Sequence, residues 1–105
     1  MFPELKSMLG KVMGIDHVIN DLADRLGDLE RAYLIDDYAE GKDSGIIDLV
    51  IVGNIDPYHL YDLSRKSEQY IKRKIRTLVL KKDEFSAFQT KLKDRPCMLI
   101  WEAKN

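Results

Sequence analysis

The sequence predicts a single mixed α/β domain of the α+β kind, a small mixed four-stranded sheet with helices packed on it. Three observations carry this. A chain of 105 residues with 45% hydrophobic and 33% charged side chains suits one globular domain with one core. Its apolar spacing alternates between helical and strand periods. One stretch, "GIIDLVIVG" (45–53), is almost continuously apolar, which marks a strand covered on both faces and therefore central in a sheet.

Each element follows in order. From Pro3, Leu5, Met8, Leu9 and Val12 recur at helical spacing, as do Ile15, Val18, Ile19, Leu22 and Leu26 beyond the break at Gly14. The helical segments thus span 3–26, with Asp16 placed to cap the second and Gly27 to end it. "RAYLI" (31–35) reads as the first strand and "GIIDLVIVG" as the second. Asp56 followed by Pro57 opens a helix of about four turns, with Leu60, Leu63, Tyr70 and Ile71 on one stripe. "KIRTLVL" (74–80) is a third strand. Asp83 is expected to cap a short helix carrying Phe85, Phe88 and Leu92, and "CMLIW" (97–101) is a fourth strand, so that sheet and helices occupy 31–101 of a domain covering 1–105.

Composition excludes several classes. Apolar runs fall far short of the ~18 residues of a membrane helix, and no signal-peptide pattern opens the chain, so a cytoplasmic protein without a membrane partner is expected. The lone Cys97 permits no internal disulfide or cysteine-rich zinc site and reads as a small buried hydrophobe. No Walker loop, G-x-G-x-x-G or G-x-S-x-G is present. His17 and His59 lack a second ligand at metal spacing. The five tyrosines, Tyr33, Tyr38, Tyr58, Tyr61 and Tyr70, are expected at the core edge with hydroxyls at the surface.

Charge is polarised along the sequence. Residues 1–63 carry 13 acidic and 5 basic side chains, and 64–105 carry 5 acidic and 12 basic, so net charges of -8 and +7 sum to the overall -1. Lys72, Arg73, Lys74, Lys81 and Lys82, with Arg76 among them, form a candidate basic contact patch for an acidic partner or phosphates. The plainer expectation is that the two halves neutralise each other on folding. No winged-helix or helix-turn-helix segment is recognisable, so nucleic-acid binding is not expected through this chain alone.

The decisive pattern is local: "YLIDDYAEGKDSGIIDLVIVG" (33–53) reads as strand, short loop with Ala39 and Gly41, then a strand with Asp48 near its start and Gly53 at its end. This resembles the minimal form of the nucleotidyltransferase superfamily related to the palm of polymerase beta. In that family a Gly-Ser pair ends the first strand, an Ala and a Gly follow, and the next strand carries Asp-x-Asp before an oily run. The Gly-Ser pair falls here on Asp36 and Asp37, the Ala and Gly on Ala39 and Gly41, and the Asp-x-Asp on Ile46 and Asp48. The chain is more particularly similar to the domain that follows a winged helix in some bacterial arsenic-repressor-like regulators. Such domains open on a segment like "FPELKSMLGKVMG", start a helix on an "EEF" where this chain has "KDEF", and close on a strand like "MLIW".

What the resemblance implies is a site largely lost. In the family, carboxylates hold magnesium against a triphosphate. Residues two apart on a strand share a face, so Ile46 and Asp48 stand where two carboxylates would serve one ion, and Ile46 offers no oxygen. Arg76 occupies the position of a third carboxylate, and a guanidinium repels a cation. Asp36 and Asp37 replace the Gly-Ser of the phosphate loop. At an effective dielectric of about 20 and roughly 4 Å, each like-charge contact with phosphate costs on the order of 4 kcal/mol before screening.

A rival arrangement is a relocated cation site of Asp36, Asp37 and Asp48, helped by Asp43. The alternative is that Asp36 and Asp37 bond local turn amides and Asp48 pairs with Arg76. Three functional readings follow. The favoured one is a catalytically inactive nucleotidyltransferase-like domain with a binding or regulatory role, in a transcriptional-regulator context or with a protein partner or self-association, and with no cofactor and no metal. A nucleotidyltransferase with a remodelled site would instead require Mg. Nucleic-acid binding through the basic second half is the third.

Overall fold

The computed structural model describes residues 14–103, and the expected helix over 3–13, with the opening segment quoted above, lies outside them. The elements run α1 (Ile15–Leu26), β1 (Leu29–Ile35), a 3-10 helix (Asp36–Glu40), β2 (Ile46–Gly53), α2 (Pro57–Ile71), β3 (Lys74–Leu80), α3 (Lys82–Lys91) and β4 (Cys97–Glu102). The sheet order is β3-β2-β1-β4. β1 pairs antiparallel with both β2 and β4, whereas β2 and β3 are parallel, so the sheet is mixed and β2 is internal as its apolar run requires.

Strand alternation splits the core in two. Ala32, Leu34, Ile47, Leu49 and Ile51 face the layer of α1 and α2, packing against Ile15, Val18, Ile19, Leu22, Leu60 and Leu63. Tyr33, Ile35, Val50 and Val52 face the other way, under Phe85 and Leu92 at α3. A fully buried Leu or Ile contributes about 1.5–3 kcal/mol. The first, larger cluster therefore supplies most of the stability. α3 covers only part of the second face, and Ile46 at its uncovered end is 40% exposed.

Several local expectations are corrected. Gly14, in a left-handed conformation, is the N-cap of α1, and Asp16 lies in its first turn. α3 is capped from Lys81, whose N–H donates to the Glu84 carboxylate at 2.8 Å, and not from Asp83. Asp56 does cap α2, accepting from the Tyr58 N–H at 3.0 Å. The buried stripe of α2 runs Leu60, Leu63, Ser64, Ser67 and Ile71, while Tyr70 is exposed and its ring lies tilted against His17. The tyrosines divide: Tyr33 and Tyr38 are buried, and Tyr58, Tyr61 and Tyr70 are exposed. Cys97, on the edge strand β4, is exposed and not a core residue.

Gly53 ends β2 where the chain passes close to the α1–β1 turn. A Cβ there would lie 2.3 Å from the Asp28 carbonyl oxygen. Only glycine permits that approach, which holds the start of β1 against the end of β2.

Candidate functional site

The residues that matter gather where β1 ends and β2 begins, on the sheet face left open by α3. Asp36 follows β1, with φ 61° in the left-handed region that L-residues other than Asn and Asp seldom adopt. The position assigned to the family's glycine thus keeps a glycine-like backbone while carrying a carboxylate. Its N–H donates to the Pro96 carbonyl at 3.0 Å, which brings the loop before β4 against the end of β1. That contact delivers Arg95. Its Nε and Nη2 donate to the Asp36 carboxylate at 3.1 and 2.6 Å.

Asp48 sits beside Arg76 in the parallel register of β2 and β3. Arg76 donates to it from Nε at 2.7 Å and Nη2 at 3.0 Å, a two-point clasp of a half-buried carboxylate. The two pairs also feel each other: Arg76 acts on Asp36 and Asp48 on Arg95. Hydrogen bonding from Arg95 is the main cause that holds the Asp36 carboxyl below its usual range, with burial opposing. Two carboxylates and two guanidinium groups therefore form one neutral quartet at the end of β1 and the start of β2.

The remaining positions are arranged around this quartet. Asp37 is exposed, and its carbonyl accepts from the Lys42 N–H at 2.8 Å. Ala39 packs on the main core, and Gly41 closes the 3-10 helix with φ 80° and an N–H to the Tyr38 carbonyl at 3.1 Å. Asp43 does not join Asp36 and Asp48. It pairs with Arg73, which donates through Nε at 2.8 Å and also through Nη2, and it accepts from the buried Tyr38 hydroxyl. That hydroxyl in turn accepts from the Gly45 N–H at 2.9 Å, so one tyrosine ties both ends of the loop together.

The expected bonding of Asp36 to local turn amides is corrected: its carboxylate reaches an arginine 59 residues away. Nothing in local sequence marks Arg95, because the contact is made by a loop returning to the sheet. The Asp43–Arg73 pair is likewise unmarked in local sequence, because it joins residues 30 apart. The basic positions also separate. Lys72, Arg73 and Lys74 lie at the start of β3 and Lys81 and Lys82 at its end, about 20 Å away along seven residues. Arg73 and Arg76 are committed to carboxylates. Among the described residues, folding joins acidic residues of the first half to basic residues of the second in three ion pairs, Asp36–Arg95, Asp43–Arg73 and Asp48–Arg76.

The donor set does not fit magnesium. Ile46 supplies no oxygen, Asp36 and Asp48 are each held by a guanidinium, and among the described residues no group of three or more His, Cys, Asp or Glu could hold a metal ion.

A chain of the toxin-antitoxin MntA-HpeT, in two mutant forms, superposes with TM-scores of 0.65 and 0.66 at 18% and 15% identity, covering 84% of this chain and 72% and 73% of that one. A Sulfolobus solfataricus protein described as a nucleotidyltransferase candidate matches with TM-score 0.54 and 20% identity over 96% of this chain and 86% of that one. The fold is nucleotidyltransferase-like. No family profile matches the sequence, and no curated protein matches it. At these identities the likeness carries the fold, and the quartet is the feature of this nucleotidyltransferase-like chain from which function must be argued. Among the described residues no helix is long and apolar enough to cross a membrane.

Proposed function

We propose that this is a catalytically inactive nucleotidyltransferase-like domain with a binding or regulatory role, working through a protein partner in a transcriptional-regulator or comparable bacterial cytoplasmic setting. The observation that carries the reading is the clasp of Asp48 by Arg76 at 2.7 and 3.0 Å. A guanidinium bound at two points supplies the positive charge a carboxylate there would otherwise seek from a metal ion. It cannot lower the barrier to phosphoryl chemistry as two clustered cations do. The toxin-antitoxin pair among the structural neighbours supports partnering with protein, since a chain of that pair shares this fold.

The test is calorimetric titration with ATP, GTP, CTP and UTP in the presence of Mg²⁺, with Asp48→Ala as control. The reading expects no binding tighter than about 100 μM, which corresponds to roughly 5.5 kcal/mol. Tighter binding that is lost in Asp48→Ala would overturn it in favour of a remodelled nucleotide site.

A further inference from the structure

The outward face of α2 carries two large aromatic side chains that the fold does not use. Tyr58 is 83% exposed and Tyr61 58% exposed, whereas the buried stripe of the same helix is complete without them. Tyr61 is held in place. Arg65 donates from Nη1 to its hydroxyl at 2.7 Å and lies 5.6 Å from the ring centroid. Ordered aromatic and arginine side chains on an exposed face are the composition of a protein contact.

The spacing suits a second copy of the chain. Tyr58, Asp62, Arg65 and Gln69, at intervals of four, three and four, form one outward stripe on a helix of 3.6 residues per turn, and all four are exposed. This stripe is complementary to its own reverse. Turned antiparallel about a two-fold axis midway between positions 62 and 65, Asp62 meets Arg65 of the second copy, and the Tyr58 hydroxyl meets the carboxamide of Gln69 of the second copy, which can both donate and accept a hydrogen bond. We propose that α2 is a homodimer contact, in which two copies of this chain pack their α2 helices antiparallel through Tyr58, Tyr61, Asp62, Arg65 and Gln69.

A two-fold contact must match its own surface, and a stripe in which each charge faces its opposite satisfies that. The fifteen residues of α2 span about 22 Å. A contact of that length belongs with small, weak and reversible interfaces. The inference goes beyond the binding role proposed above and does not depend on it.

Sedimentation equilibrium of the full chain between about 10 μM and 1 mM tests it. The expected result is a monomer–dimer equilibrium that weakens at least tenfold in Asp62→Arg and in Arg65→Asp, because each variant sets like charges against each other across the axis. An equimolar mixture of the two variants should recover dimer, since each arginine then meets an aspartate. Wild type that stays monomeric at 1 mM, variants that dimerise as wild type does, or a mixture without recovery would each overturn the proposal. The nucleotide titrations read a different face, so the two readings fail separately.

Discussion

Asp48 and Arg76 are neighbours across the parallel β2–β3 pair, and the guanidinium of one grips both oxygens of the other at 2.7 and 3.0 Å. The ion pair satisfies a half-buried carboxylate with one cationic group from the same sheet, and it needs no ion from solution.

If the proposed reading is right, removing this ion pair and placing oxygen ligands at these positions should create a cation site. Ile46→Asp with Arg76→Asp places carboxylates at positions 46, 48 and 76, and Asp36→Gly with Asp37→Ser removes the charge at the end of β1. The fourfold variant is expected to bind Mn²⁺ measurably by calorimetry while the wild type shows no such binding. Equal, negligible heats for both proteins would contradict descent from a metal site.

Acid should unfold the protein partly through Asp43 and Asp36. Hydrogen bonding from Arg73, then from Tyr38, holds Asp43 far below the normal carboxylate range, and hydrogen bonding from Arg95 lowers Asp36. A carboxyl with a lower folded value stabilises the protein above its unfolded value of about 3.9, and that contribution is lost as pH falls toward the folded value. Unfolding midpoints should therefore decline below about pH 4, and Arg73→Gln with Arg95→Gln should flatten that decline. An unchanged acid limb in the double variant would refute the assignment.

Gly53→Ala should be costly. The added Cβ would lie 2.3 Å from the Asp28 carbonyl oxygen, and the obstructing atom is backbone. Overpacking of this kind costs about 1–3 kcal/mol, read as a lower denaturant midpoint in urea. A midpoint within error of wild type would show that the α1–β1 turn gives way freely.

Ser64→Ala should go the other way. The Ser64 hydroxyl oxygen is buried among α2 core residues and has no hydrogen-bond partner among the described residues. Removing an unpaired hydroxyl, and placing Ala in a helix interior, should stabilise by about 1 kcal/mol. Chemical denaturation checks this, and a loss of stability would mean the hydroxyl has a partner such as ordered water.

Much of the scaffold was legible from one-dimensional pattern. The central position of β2, the Asp56–Pro57 start of α2 and the α1 face of Ile15, Val18, Ile19 and Leu22 follow from periodicity and capping chemistry, which act over a few residues. Helix starts at Gly14 and Lys81 were less legible because Asp16 and Asp83 are good capping residues that lie just inside their helices. The depth of each tyrosine was not legible at all, since an aromatic ring suits core and surface alike and only packing decides.

By itself the sequence determined that Ile46 and Asp48 share a strand face, that Ile46 cannot ligate a cation, and that the acidic first half and basic second half carry charge for each other. These are consequences of residue chemistry and a two-residue strand period. The aligned positions also set Arg76 beside Asp48, and the structure shows that pair, whereas only the tertiary structure decided the partners of Asp36 and Asp43. The loop before β4 brought Arg95 to Asp36, and the buried Tyr38 drew Asp43 away to Arg73. Partners 30 and 59 residues apart are chosen by how strands align and loops return, and no local pattern encodes that choice.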